Sequence, residues 1–242
     1  MKRNGYTIAE AIITMAIIGV VASLTIPTFI SSYRKTVYAN SLASAVSNFD
    51  NAMSTMMMKE GVDDLLDTKA WKAVSNSLSS NTSNTLIEEF MAEITKVLPI
   101  EGYEKTVRRY SALANPGAAP NITYGAPVTF RTKAGVEYMI YATGISKANA
   151  RAEAATLLSG SNYHNKAAEV YIDVNGANEP NVQGRDWFRF ELGTDGNLYP
   201  FGGRDQSLYA GGAYNPETNC VTNKNGYHCA AYLMENGYKM DY

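Results

Sequence analysis

Between Tyr6 and Ile26 the chain carries a single charged side chain, Glu10, and from Ala11 to Ile26 it carries none. As a helix rising ~1.5 Å per residue, that stretch is about 31 Å long, close to the roughly 30 Å hydrocarbon core of a bilayer. Its first use is therefore to cross a membrane or to be buried by other helices. Lys2 and Arg3 precede it. The positive-inside bias then keeps the N-terminus in the cytoplasm and sends the remainder outward.

Glu10 is the residue that needs a reason. A carboxylate close to an apolar span costs free energy, and such a group is a functional candidate by default. No Lys, Arg or His lies between Arg3 and Arg34 to pair with it. Cleavage after Gly5 would create a cation, the α-amino group of Tyr6. That amine would lie four residues before Glu10, on the same helix face, and could pair with this carboxylate or with that of a neighbouring copy. The plainer alternative is that Glu10 marks the membrane edge and stays solvated.

Lys2-Arg3-Asn4-Gly5, then Tyr6-Thr7-Ile8-Ala9-Glu10, the apolar run and Pro27 together resemble the class III signal of type IV pilins and type II secretion pseudopilins. The resemblance covers about 25 of 242 residues, with leader, glutamate and apolar run agreeing in spacing. One departure is Tyr6, where Phe or Met is more usual; aromatic character is kept. The resemblance implies that a prepilin peptidase cuts after Gly5 and methylates the Tyr6 amine. It also implies that Glu10 neutralises a neighbour's amine as subunits stack. The expected product is a structural subunit, not an enzyme, of a type IV pilus-like or pseudopilus filament. Its expected partners are the peptidase, other copies, other pilins or pseudopilins, and inner-membrane lipid before assembly. Its expected location is the bacterial inner membrane, single-pass with the head outside the cytoplasm, and then a filament in the periplasm or at the cell surface.

Two other readings compete. An ordinary secretory signal would be cut near Val21-Ala22-Ser23, but it has no use for Glu10. Alternatively, the helix is only an anchor for an extracytoplasmic binding protein or enzyme, which would have a ligand-filled cleft and keep its activity without residues 1–30.

The helix is expected to continue past Pro27, which removes one donor without necessarily ending it. Tyr38, Leu42, Val46, Phe49, Met53 and Met56 then recur at helical spacing, and Gly61 is a plausible stop. A helix from Tyr6 to Met58 would be about 80 Å long. Residues 62–98 read as weaker helices, around Ala70-Trp71 and from Thr85 to Leu98, where Pro99 ends the second. Prolines and glycines make 111–127 a surface connection, and 146–166 reads as a helical or looping insertion. Strands are predicted at Val128–Thr132, Val136–Tyr141, Glu169–Asp173, Trp187–Leu192 and Leu198–Phe201, with turns at Lys133-Ala-Gly135 and Asp195-Gly196. This order gives an α+β fold with an antiparallel sheet of roughly four or five strands. The resemblance implies a pilin-like arrangement, a long N-terminal helix packed on the head. The expected divisions are a leader (1–5), a transmembrane or filament-core half-helix (6–30), an amphipathic half-helix (31–60) and a head (61–242). Within the head, a helical excursion (61–125) precedes the sheet and a C-terminal disulfide loop (126–242).

The charge balance, 21 basic against 23 acidic residues with no extended basic cluster, argues against a nucleic-acid partner. Cys220 and Cys229 are nine apart. Outside the inner membrane they are expected to be oxidised, and the Cys-x-x-Cys spacing of a redox pair is absent. The resemblance supports the same pairing, since many pilins close a C-terminal loop by a disulfide. Asp173, Asn175, Asn181 and Asp186 concentrate oxygen donors in one loop. They could hold calcium, which takes 6–8 oxygens, or form an Asx-rich turn on local amides. The resemblance adds support for calcium, although the motif differs from that of the calcium-binding pseudopilins. His164 and His228 have no defensible nucleophile partner. The 17 tyrosines fit sheet and core packing better than a recognition surface.

Overall fold

The computed structural model describes residues 7–72, 84–104, 113, 128–141, 166–176, 178–201, 220 and 225–242. The chain forms two compact units, Met1–Val37 and Tyr38–Tyr242. Helix α1, Ile8–Glu60, runs through the boundary with Pro27 inside it. The part of the helix from Tyr38 falls in the second unit, with the head.

In the first unit α1 shows no buried face. Ile12, Ile17, Leu24 and Phe29 are all exposed, although they point in different directions around the helix. The hydroxyls inside this apolar stretch bond back to their own helix. Thr14 Oγ1 donates to the Glu10 carbonyl at 3.0 Å, Ser23 Oγ to Val20 at 2.8 Å and Thr25 Oγ1 to Val21 at 2.9 Å. A segment bound for lipid needs this, because no water is there to satisfy a hydroxyl. The span is long and apolar enough to cross a membrane as a single-pass anchor.

In the second unit the predicted stripe is the buried one. Leu42, Val46, Phe49, Met53 and Met56 are buried, with Tyr38 packed at the edge. The helix ends as its sequence suggests. Gly61 takes φ +65°, and Val62 N–H donates to the Met57 carbonyl at 3.1 Å, the six-to-one bond of a glycine C-cap.

Six antiparallel strands among the described residues form one sheet in sequential order: β1 (Ile100–Glu104), β2 (Val128–Thr132), β3 (Glu137–Tyr141), β4 (Lys166–Asp173), β5 (Trp187–Gly193) and β6 (Leu198–Pro200). The fold is α+β, as its order of elements predicts. Register places Phe130 opposite Tyr138, Tyr138 opposite Ile172 and Ile172 opposite Phe188, and this row packs in the same core as Phe49. Phe49 and Tyr138 stack with ring centroids 5.3 Å apart. The Tyr138 hydroxyl donates to the Ala45 carbonyl at 2.9 Å, and the Leu198 amide donates to Asp50 Oδ1 at 2.9 Å. The alternate residues of β3–β5 form a second cluster of Met139, Tyr141, Tyr171 and Trp187. Beside it Arg189 pairs with Glu169 at 3.0 Å and lies 3.7 Å above the Phe201 ring. The tyrosines here pack, as expected.

Two expectations need correction. β1 lies inside the stretch read as a helical excursion. It escapes a pattern-based reading because it is an edge strand, exposed at Glu101, Gly102, Tyr103 and Glu104, with no apolar alternation to mark it. Helix α2 covers Asn84–Ile94 and gives way to turns before Leu98, three residues short of Val97. Ile87, Phe90, Met91 and Ile94 form its buried face. Helix α3, Cys229–Glu235, closes the chain, and the tail returns to the head through buried Met240. The expected connection at 111–127, apart from Leu113, and the expected insertion, apart from Lys166, lie outside the described residues.

Candidate functional site

Three places carry the sequence candidates. At the start of α1, Gly5 and Tyr6 lie outside the described residues, and Glu10 stands in the first turn. Thr7 N and Thr7 Oγ1 both donate to Glu10 Oε2 at 2.9 Å, and Glu10 N–H reaches Thr7 Oγ1 at 3.3 Å. This is a reciprocal capping box, Thr7 at the N-cap and Glu10 at the third helical position, with Ala11 N–H to the Thr7 carbonyl as the first helical bond. The box fixes the carboxylate's position. Oε2 takes both bonds from Thr7, and Oε1 takes none from a described residue. Thr7 is a site residue that the sequence reading missed. Its signal, Thr three residues before Glu at the head of an apolar run, was there to be found.

Cys220 and Cys229 form a disulfide, with Cα atoms 4.8 Å apart. Cys229 opens α3 and is fully buried. A Cβ added at Gly184 would come within 2.7 Å of its sulfur, and one at Gly226 would run into the Gln183 carbonyl. The bridge therefore sits directly on the last turn of the oxygen-rich loop. Tyr242 adds a third tie, its hydroxyl donating to the Gly184 carbonyl.

The oxygen-rich loop is built on its own amides. Asp173 Oδ1 accepts from Asn175 N at 3.2 Å. Asp186 Oδ2 accepts from Asn181 N at 2.9 Å, and Oδ1 accepts from Val182 N at 2.6 Å. Asn175 Nδ2 donates to the carbonyls of Asn178 and Glu179. Oriented as a donor, the Asn181 amide reaches Asp173 Oδ2 at 3.1 Å. Asn181 supplies the reversal with φ +47°, a conformation Asn tolerates better than most residues. Burial raises the pKa of Asp186, while the Val182 and Asn181 amides oppose the shift. All four candidate residues thus converge on one loop. Among the described residues no three His, Cys, Asp or Glu side chains stand close enough to hold a metal.

His228 precedes α3 and packs edge-on to Phe201, where burial and the neighbouring Arg189 lower its pKa. His164 lies outside the described residues. No family model, curated protein or solved structure matches the chain.

Proposed function

We propose that this chain is a structural subunit of a type IV pilus-like or type II secretion filament. It is matured by cleavage after Gly5 and methylation of the Tyr6 amine, and it assembles through the first half of α1. The observation that carries the reading is a helix with apolar side chains exposed on every side and one carboxylate in its first turn. Such a surface is covered first by inner-membrane lipid and then by the same helices of other copies and related subunits. The capping box turns Glu10 into a positioned acceptor. While Oε2 holds Thr7, Oε1 faces an incoming amine, and the new Tyr6 N-terminus supplies the positive charge. The prepilin peptidase is the processing partner, and no catalytic step is assigned to the chain itself.

Mass spectrometry of the native product is expected to find Tyr6, methylated, at the N-terminus. A product retaining residues 1–5, or one cut beyond Val21, would remove the filament reading. Glu10→Gln is the sharper variant, because glutamine also serves a capping box while losing the charge. It should fold and be processed yet fail to enter filaments; incorporation at the wild-type level would show that capping, not charge, is what Glu10 supplies.

For the loop at 173–186, the amide bonds favour an Asx turn over calcium, since amide donors already hold both carboxylates, Asp173 through Asn175 N and Asp186 through Asn181 N and Val182 N. Melting curves should not move with millimolar calcium. A rise of several degrees would reverse the assignment.

A further inference from the structure

The side of α1 turned away from the core within the head has an unusual make-up. Asn40, Ser44, Asn48 and Asn51 follow one another at helical spacing and are all exposed. Between Lys35 and Lys59 the helix carries one charge, Asp50, and its carboxyl is occupied by the Leu198 amide. Solvated helix faces are usually filled with Lys, Glu, Gln or Arg, which favour the helix more than Asn or Ser do. Helix stability does not account for this choice.

The stripe forms one wall of a cleft of about 520 Å³, opposed by the Val97–Pro99 segment and the β2–β3 turn, with Ala45 and Ala52 in the helical wall. That volume falls in the range of small-ligand sites, ~300–1,000 Å³. The side chains of Asn40, Ser44 and Asn48 make no hydrogen bond to another described residue, and Asn51 reaches only Ser47 Oγ, at 3.4 Å.

The lining selects its occupant by chemistry. Among the described residues it contains no charged side chain, so these residues offer phosphates, carboxylates and cations no counter-charge. A purely apolar ligand would strip water from several amides and leave them unpaired. An extended peptide is normally held by a free strand edge. Here the helix backbone is self-bonded, and the opposing turn is closed by Thr132 N–H to Val136 and Lys133 N–H to Pro99. Carboxamides donate from nitrogen and accept at oxygen, and vicinal hydroxyls complement both. We infer that this cleft binds a neutral polyhydroxylated ligand of sugar size. The whole cleft lies in the unit from Tyr38, so the inference stands apart from the filament reading and can fail without it.

The test uses the full chain in zwitterionic, sugar-free micelles, titrated with maltose, lactose and N,N′-diacetylchitobiose by protein-observed NMR and applied to a printed array of neutral glycans. Saturable binding with a dissociation constant on the order of millimolar or tighter is expected for at least one glycan. In the double variant Asn48→Ala/Asn51→Ala, affinity should fall about tenfold or more, with the melting temperature unchanged or higher. Ser44→Tyr, which fills the cleft from an exposed position, should abolish binding. No saturable binding to any neutral glycan, equal affinity in the double variant, or preferential capture of peptides would overturn the inference.

Discussion

Phe29 and Phe49 lie on one continuous helix, yet Phe29 is 72% exposed and Phe49 is fully buried. Residue type is the same, as is backbone conformation. What differs is whether the chain supplies its own cover. Around Phe49 the sheet brings Tyr138 and Phe130. The ring beside Phe29 is that of its helical neighbour Tyr33, at 6.4 Å between centroids. One half of the helix is therefore a folding element and the other, on the proposed function, an association element, and the same mutation in each should be read out by different experiments.

The largest contrast follows from that pair. Phe49→Ala should destabilise the head by about 3–5 kcal/mol, the cost of emptying a packed aromatic site. Phe29→Ala should leave head stability within ~0.5 kcal/mol, as expected for an exposed site, and lower assembly or membrane retention instead. Denaturation in micelles followed by the fluorescence of Trp71 and Trp187, both buried in the head, measures the first. Equal destabilisation by the two variants would erase the division at Val37.

Next is the disulfide, which acts on the head alone. Replacing both Cys220 and Cys229 by Ser removes a short cross-linked loop and should cost ~2–3 kcal/mol by loop-closure entropy. Exposure of the first half of α1 should stay as it is. A change in membrane extraction by the double variant, with the head still folded, would contradict the separation of roles.

Much of this was legible from residue order. The stripe from Leu42 to Met56, the stop at Gly61 and the turns at Gly135 and Gly196 each leave a local signature, periodicity or a left-handed backbone position. What was hidden depends on partners distant in sequence. β1 is a strand because Tyr103 and Glu104 pair with Phe130 and Thr129, not because of any pattern of its own. Asp50 looks like a surface residue until the Leu198 amide arrives from 148 positions away. In the candidate site, Glu10 was legible as a charge out of place, which drew attention from its role with Thr7 as a helix start. The loop at 173–186 showed its oxygens but not their direction, because the turn at Asn181 aims amides, rather than open space, at the carboxylates.

Asp50 offers a smaller effect, confined to the folded half of the helix. Burial pushes its pKa from 3.8 up to about 6, the Leu198 amide opposing and Asp195 adding to the rise. A raised carboxyl pKa means that the native state holds the proton more tightly. This contribution to stability is complete below about 4 and is lost as pH climbs through about 6. Asp50→Asn keeps an acceptor for Leu198 and removes the titration. It should gain on the wild type at pH 7 by less than ~1 kcal/mol, since the group is partly solvated, and show no gain at pH 4. Equal behaviour at both pH values would mean that the carboxyl is solvated like any surface acid.

The smallest effect tests whether the solvent side of the head helix obeys the same rule as the apolar half. Asn48→Ala replaces a weak helix former with the best one at an exposed position, worth up to ~0.7 kcal/mol if the amide does nothing for the fold. A higher denaturation midpoint would show that the amide is retained at the expense of folding, as is proposed for the exposed isoleucines of the first half. Both surfaces would then be shaped by what they meet. A lower midpoint would mean that Asn48 bonds within the chain after all. The stripe would then belong to the architecture of the head, and the exposed apolar half would remain the one surface of α1 kept for an outside partner.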